Sequence, residues 1–191
     1  MNLLYLHGFN SSPASAKARL TAAWLARERP DIRFICPSLS PYPQRAAAAI
    51  DAAGEGLDWA ETLVLGSSMG GFFATWVAER FPCKAVLINP AVRPWLGREY
   101  LLGEQVNHHT GETCVIRQGD IDALAAYGVA AISRPERLWL LLQTGDEVLD
   151  YRQAVDFYRG CRITVEPGGD HGFQGFERHL PGIIHFWQAQ Q

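Results

Sequence analysis

Short apolar runs alternate with longer amphipathic stretches along the whole chain. Residues 3–6, 32–36, 62–65, 85–89, 138–143 and 162–165 are rich in Val, Ile, Leu and Phe, and Gly, Pro or Asn bound most of them. Runs this short with such flanks predict strands. Helices are expected over 14–29, 45–53, 72–80, 150–159 and 176–188. In the last, Phe176, Leu180, Ile183, Ile184 and Trp187 recur at helical spacing and form one apolar stripe. Strands that are hydrophobic nearly throughout, alternating with helices, predict a mainly parallel sheet of about six strands with helices on both faces. The fold class is α/β.

Residues 91–135 break this rhythm. Pro94, Gly97, Gly103, Gly111, Gly119 and Gly128 fall there among mixed polar residues. The segment far exceeds the roughly 4–6 residues of an ordinary connection. It is expected to be a cap or lid with short helices of its own, inserted in a single domain spanning 1–191. Trp95, Leu96, Tyr100, Leu101 and Leu102 are spaced for a short amphipathic helix. Its start beside a strand end suggests a place over a site mouth, with Trp95 and Tyr100 as pocket walls. Packing against the core is the competing arrangement. A cap this short implies a shallow pocket that favours short acyl chains.

Composition narrows the class. With 48% hydrophobic and 19% charged residues over 191 positions, the chain can fill the core of one ordinary domain. Seventeen basic and twenty acidic residues give a net charge of -3, and Lys17 and Lys84 are the only lysines. Without a basic stripe, nucleic-acid binding is disfavoured. The apolar runs are far shorter than the ~20 residues that span a bilayer. No basic segment precedes the first strand, so no secretory signal is read and a cytoplasmic location is expected. Cys36, Cys83, Cys114 and Cys161 are scattered without a CxxC pair, which points to buried free thiols.

The sharpest chemical signal is Gly66-Ser67-Ser68-Met69-Gly70-Gly71, directly after an apolar strand and before a helix. Gly-x-Ser-x-Gly in that context makes a tight turn that lifts a serine hydroxyl off the sheet edge. The amide of Met69, at the start of the following helix, can then face a developing oxyanion. Glycine-rich turns also bind phosphate, so the pattern alone leaves both chemistries open. Ser67, one residue early, should point elsewhere. The first strand ends in His7-Gly8-Phe9, where the amide of Phe9 is a natural second oxyanion donor. His7 itself is expected to orient that loop rather than act as base.

A serine nucleophile needs a base, and the base needs a carboxylate. His171 lies in Gly168-Gly169-Asp170-His171-Gly172-Phe173, between the last strand and last helix, where the chain order Ser, Asp, His places it. His179 and His185 fall within the final helix, and His108 and His109 within the insertion. Asp146 follows the apolar 138–143 run at a strand's carboxyl end. Glu147, Asp150 and Asp170 are its rivals, with Asp150 placed to cap the next helix. His108, His109, Glu112 and Cys114 could in principle hold zinc, but no HExxH or CxxC spacing supports a metal site.

Strand–HGF, GxSxGG, a late GDEV and a GGxHxF loop resemble the α/β-hydrolase superfamily. More narrowly, YLHGFNSSPASAK, GSSMGGFFATW, NPAVRP, QTGDEVLDYRQA and GGDHGFQGFE are similar to the small bacterial YqiA/YcfP-type esterases along essentially the whole chain. The resemblance implies a compact hydrolase core and cleavage of small carboxylic esters by Ser68, Asp146 and His171, with no cofactor. The chain departs from larger hydrolases in starting directly at the oxyanion-loop strand, so their two leading antiparallel strands are expected to be missing. Thioester or peptide cleavage on the same triad, and a non-catalytic binding role, are the alternative functions.

Overall fold

Eight strands and six α-helices follow one another in the computed structural model, which describes residues 1–97, 99–107 and 109–189, Glu99 in its backbone alone. The strands are β1 (Asn2–Leu6), β2 (Arg33–Ile35), β3 (Thr62–Ser67), β4 (Lys84–Ile88), β5 (Gly103–Val106), β6 (Thr113–Ile116), β7 (Leu138–Gln143) and β8 (Arg162–Glu166). The helices are α1 (Ala16–Glu28), α2 (Pro43–Gly54), α3 (Met69–Arg80), α4 (Gln118–Asp122), α5 (Tyr151–Phe157) and α6 (Leu180–Gln188).

Six strands pair in the order β2-β1-β3-β4-β7-β8, every neighbour parallel. All six residues of β3 and of β7 are buried, as a strand covered on both faces requires. Alternate residues serve opposite faces. Leu4, Leu6, Val64, Leu87 and Leu140 pack with Ile50 of α2, Phe73 and Val77 of α3 and Ala154 of α5. Leu3, Tyr5, Leu63, Val86 and Leu141 pack with Leu25 of α1 and Ile183 and Trp187 of α6. Each buried Leu or Ile of these two layers contributes roughly 1.5–3 kcal/mol over an exposed one.

The strand order reverses between β1 and β3, because β2 lies on the outer side of β1. Ligands of open parallel sheets bind at such a point, beyond the carboxyl ends of the strands. The loops after β1 and β3 both leave the sheet there.

Three elements differ from the sequence reading. Helix α3 begins at Met69, three residues early, because the turn at Ser68 feeds straight into it. The last helix is split: a 3-10 turn, Phe176–His179, precedes α6, whose first turn holds Pro181. The inserted segment holds an antiparallel hairpin, β5–β6, where only helices were expected. Gly97 and Gly103 adopt positive φ (64° and 89°), leaving room for only one 3-10 turn, Glu99–Leu101, between them. So short a stretch cannot overcome the cost of helix nucleation. Of the cysteines, Cys83 is buried and the other three are half-buried. Among the described residues, no helix is long and apolar enough to cross a membrane.

Candidate active site

Ser68 sits between β3 and α3 with φ 56° and ψ -121°, a conformation that costs a non-glycine residue about 1–3 kcal/mol. The surroundings enforce it. Ser68 donates its N–H to the Ile88 carbonyl, and its own carbonyl accepts from Gly71, Phe72 and Ala91. The turn closes only over glycine: a Cβ on Gly70 would lie 1.9 Å from the Leu6 carbonyl oxygen, and one on Gly66 2.3 Å from that of Gly70. Met69 is the first residue of α3, so its N–H has no acceptor within the helix. Ser67, one residue earlier, is buried.

The loop after β1 comes close. A Cβ on Gly8 would lie 3.3 Å from Ser68 Cβ. His7 is buried and fixes this loop: its Nε2 accepts from Leu39 N–H at 2.9 Å, and its Nδ1 donates to the Gly8 carbonyl at 2.9 Å. Burial pushes the His7 imidazole below its ordinary value, with the Gly8 bond opposing. It is a neutral structural group.

His171, in the loop after β8, reaches Ser68. Its Nε2 lies 3.0 Å from Ser68 Oγ, and its Nδ1 2.9 Å from each carboxylate oxygen of Asp146. The carboxylate only accepts, so Nδ1 carries the proton and Nε2 is free to take one from the hydroxyl. The Asp146 side chain is 2% exposed and that of His171 24%. Asp146 Oδ1 also accepts from the Val148 and Leu149 amides at 2.9 Å. Burial alone would raise its carboxyl; the bonds from His171, Leu149 and Val148 outweigh that and hold it below the usual range. Asp150 caps α5, accepting from Arg152 N–H at 3.0 Å.

Four residues not singled out as site residues from sequence hold the His171 loop. Glu147 accepts the His171 N–H at 3.0 Å. Lys17 of α1 donates to the Gly172 carbonyl at 2.7 Å; burial pushes its ammonium down, while Asp170 and Asp146 oppose. Buried Asn89 donates to the carbonyls of Asp170 (3.1 Å) and His171 (3.3 Å) and accepts from Gln143 N–H. Gln143 in turn accepts from Gln174 N–H at 2.8 Å. The one available signal was a polar side chain ending an otherwise apolar strand, as Asn89 and Gln143 both do.

Ser68 and His171 open onto a groove of about 590 Å³, counted out to bulk solvent, which Phe9, Met69, Tyr100 and Leu101 also line. Tyr100 thus lies on the groove with Ser68 and His171. Trp95 does not. Its ring packs edge-on against Phe72 (6.0 Å, 66°) and fills the space beside Gly128, burying a large apolar face between α3 and the insertion. His109 binds Asn107 through its backbone, and His108 lies outside the described residues. Burial pushes the Cys36 and Cys83 thiols up to about 12 and Cys161 to about 11, so these three are poor nucleophiles.

Residues 2–188 match the model of UPF0227, described as an uncharacterised protein family. The chain belongs to this family. Its fold is that of the α/β hydrolases, as solved structures show. A candidate hydrolase from Agrobacterium vitis S4 superposes with a TM-score of 0.74 at 19% identity, covering 98% of this chain and 88% of the other. Est1E from Butyrivibrio proteoclasticus, solved with ferulic acid bound, gives 0.70 at 14% identity, covering 97% and 87%. Mouse alpha/beta hydrolase domain-containing protein 10 gives 0.68 at 15% identity, covering 96% and 87%.

Proposed function

We propose that this chain is a serine esterase acting on small carboxylic esters with short acyl groups. The observation that carries the reading is the unbroken relay from Ser68 Oγ through His171 to the buried carboxylate of Asp146. A structural role would not require a serine held at positive φ beside an imidazole whose tautomer is fixed.

His171 Nε2 takes the hydroxyl proton as Ser68 Oγ bonds to the ester carbonyl carbon. The amides of Met69 and Phe9 stabilise the oxyanion, each such donor contributing on the order of 3 kcal/mol. The C–O bond to the leaving group then breaks, and protonated His171 gives its proton to the departing alkoxide. Water, deprotonated by His171, attacks the acyl-enzyme, and the carboxylic acid leaves as Ser68 regains its proton. Every step uses groups of this chain. That Est1E holds ferulic acid, a carboxylic acid, agrees with such a product.

The test is a hydrolysis panel of esters, thioesters and amides with Ser68→Ala as the blank. Ester turnover lost in the variant supports the proposal. Faster thioester or amide turnover would move the assignment to those bonds, and no turnover in any class would leave a binding protein.

A further inference from the structure

A second cleft opens beside the two amides and touches no part of the His171 loop. It shares Phe9, Met69 and Leu101 with the site groove and continues as an apolar slot, about 470 Å³ counted out to bulk solvent. Pro43 and Ala46 of α2, Phe73 of α3, and Ile116, Ile121 and Leu124 of the insertion line it. Ala46, Phe73, Ile116, Ile121 and Leu124 are each at most 5% exposed. Asp120 also borders the slot, but its Oδ2 is engaged by the Arg117 N–H at 2.8 Å, within the first turn of α4.

The insertion is fastened over this slot by polar contacts. Asn107 donates to the Ser11 carbonyl at 2.9 Å, and Tyr42 Oη to the Val115 carbonyl at 3.4 Å. The hairpin thus bridges the loops that follow β1 and β2. The voids around Trp95 meet the site only at Ala91.

On the acyl-transfer reading above, on which this inference rests, the attacked carbon carries four groups. Ser68 Oγ is one, the oxyanion facing the amides is the second, and the leaving group must lie near His171 Nε2 to receive its proton. The acyl chain takes the remaining direction, away from His171. We infer that the slot is the acyl site, that it takes an unbranched aliphatic acyl chain, and that Ile121 of the insertion and Ala46 of α2 set chain length. The leaving group lies in the open groove past Tyr100 and Val148, where selection is weak.

The test measures kcat/KM for p-nitrophenyl acetate, butyrate, hexanoate and isobutyrate. Enzymes are wild type, Ile121→Trp, Ile121→Ala and Ala46→Leu, with fluorophosphonate labelling of each as the control for a competent Ser68. In wild type, each methylene buried in the slot should raise kcat/KM about fourfold until the slot is full, and isobutyrate should trail butyrate. Ile121→Trp and Ala46→Leu should each lower the hexanoate-to-acetate ratio by about tenfold or more while labelling persists, and Ile121→Ala should raise it. The two filling variants act from separate elements, so either one suffices if the other does not fold. An unchanged ratio in a labelled variant, or equal loss on acetate and hexanoate, overturns the slot assignment. Absence of wild-type labelling at Ser68 would instead remove the acyl-transfer reading itself.

Discussion

Glu147 accepts the backbone N–H of His171 at 3.0 Å, while the preceding residue, Asp146, holds the His171 imidazole. Two adjacent carboxylates thus grip one histidine by main chain and side chain. Glu147→Ala should lower kcat about tenfold, in line with the roughly 0.5–1.5 kcal/mol of one hydrogen bond, and leave KM near its wild-type value. Glu147→Gln keeps an acceptor and should restore most of the rate. Steady-state kinetics of the pair would separate this positioning role from a simple charge effect.

Asp146→Asn should reduce turnover by about 10⁴-fold, because an amide no longer enforces the Nδ1–H tautomer. Its remaining oxygen can still accept from Val148 and Leu149, so the melting temperature should move little. Asp150→Asn is the contrast. Asn and Asp cap helices about equally well, so both activity and stability should be retained. A larger kinetic effect at Asp150 would displace Asp146 from its role.

The depressed Asp146 carboxyl also carries a pH signature. A group whose pKa is lower in the folded state stabilises it above the unfolded value, about 3.9 for Asp, and that contribution fades as pH falls through the folded value. Wild type should therefore lose stability more steeply than Asp146→Asn below about pH 4, and the two curves should run parallel above about pH 6. Thermal melts from acid to neutral pH would show the two curves part below about pH 4, and curves parallel throughout would refute it.

Gly70→Ala places a methyl group inside van der Waals contact of the Leu6 and His7 carbonyls. The expected loss is about 3 kcal/mol or more, since backbone on both sides must move. Gly119→Ala in α4 meets no atom within 4 Å and should be neutral or stabilising by up to about 1 kcal/mol. Denaturant melts of both variants compare the two glycines directly.

The parallel sheet was legible because buried strands write themselves as unbroken apolar runs, as at Leu138–Gln143. Ser68 and His171 were legible because their motifs are local, and the chain order Ser, Asp, His then implied that the two would meet. The β5–β6 hairpin was not, since its mostly exposed residues lack a clear alternation. Lys17 and Asn89 were hidden for another reason. Lys17 reaches a carbonyl 155 positions away and Asn89 an amide 54 positions away, and only the folded chain brings those groups together. Trp95 illustrates the ambiguity of an apolar residue near a site: the same ring suits a pocket wall or a core, and packing against Phe72 decided it.

Ser68 is the proposed nucleophile. Its most direct test is treatment with a fluorophosphonate followed by peptide mass mapping of wild type, Ser67→Ala and Ser68→Ala. One adduct is expected on Ser68 in wild type and in Ser67→Ala, and none in Ser68→Ala. An adduct of equal yield in Ser68→Ala, or one mapped to Ser67, would contradict it.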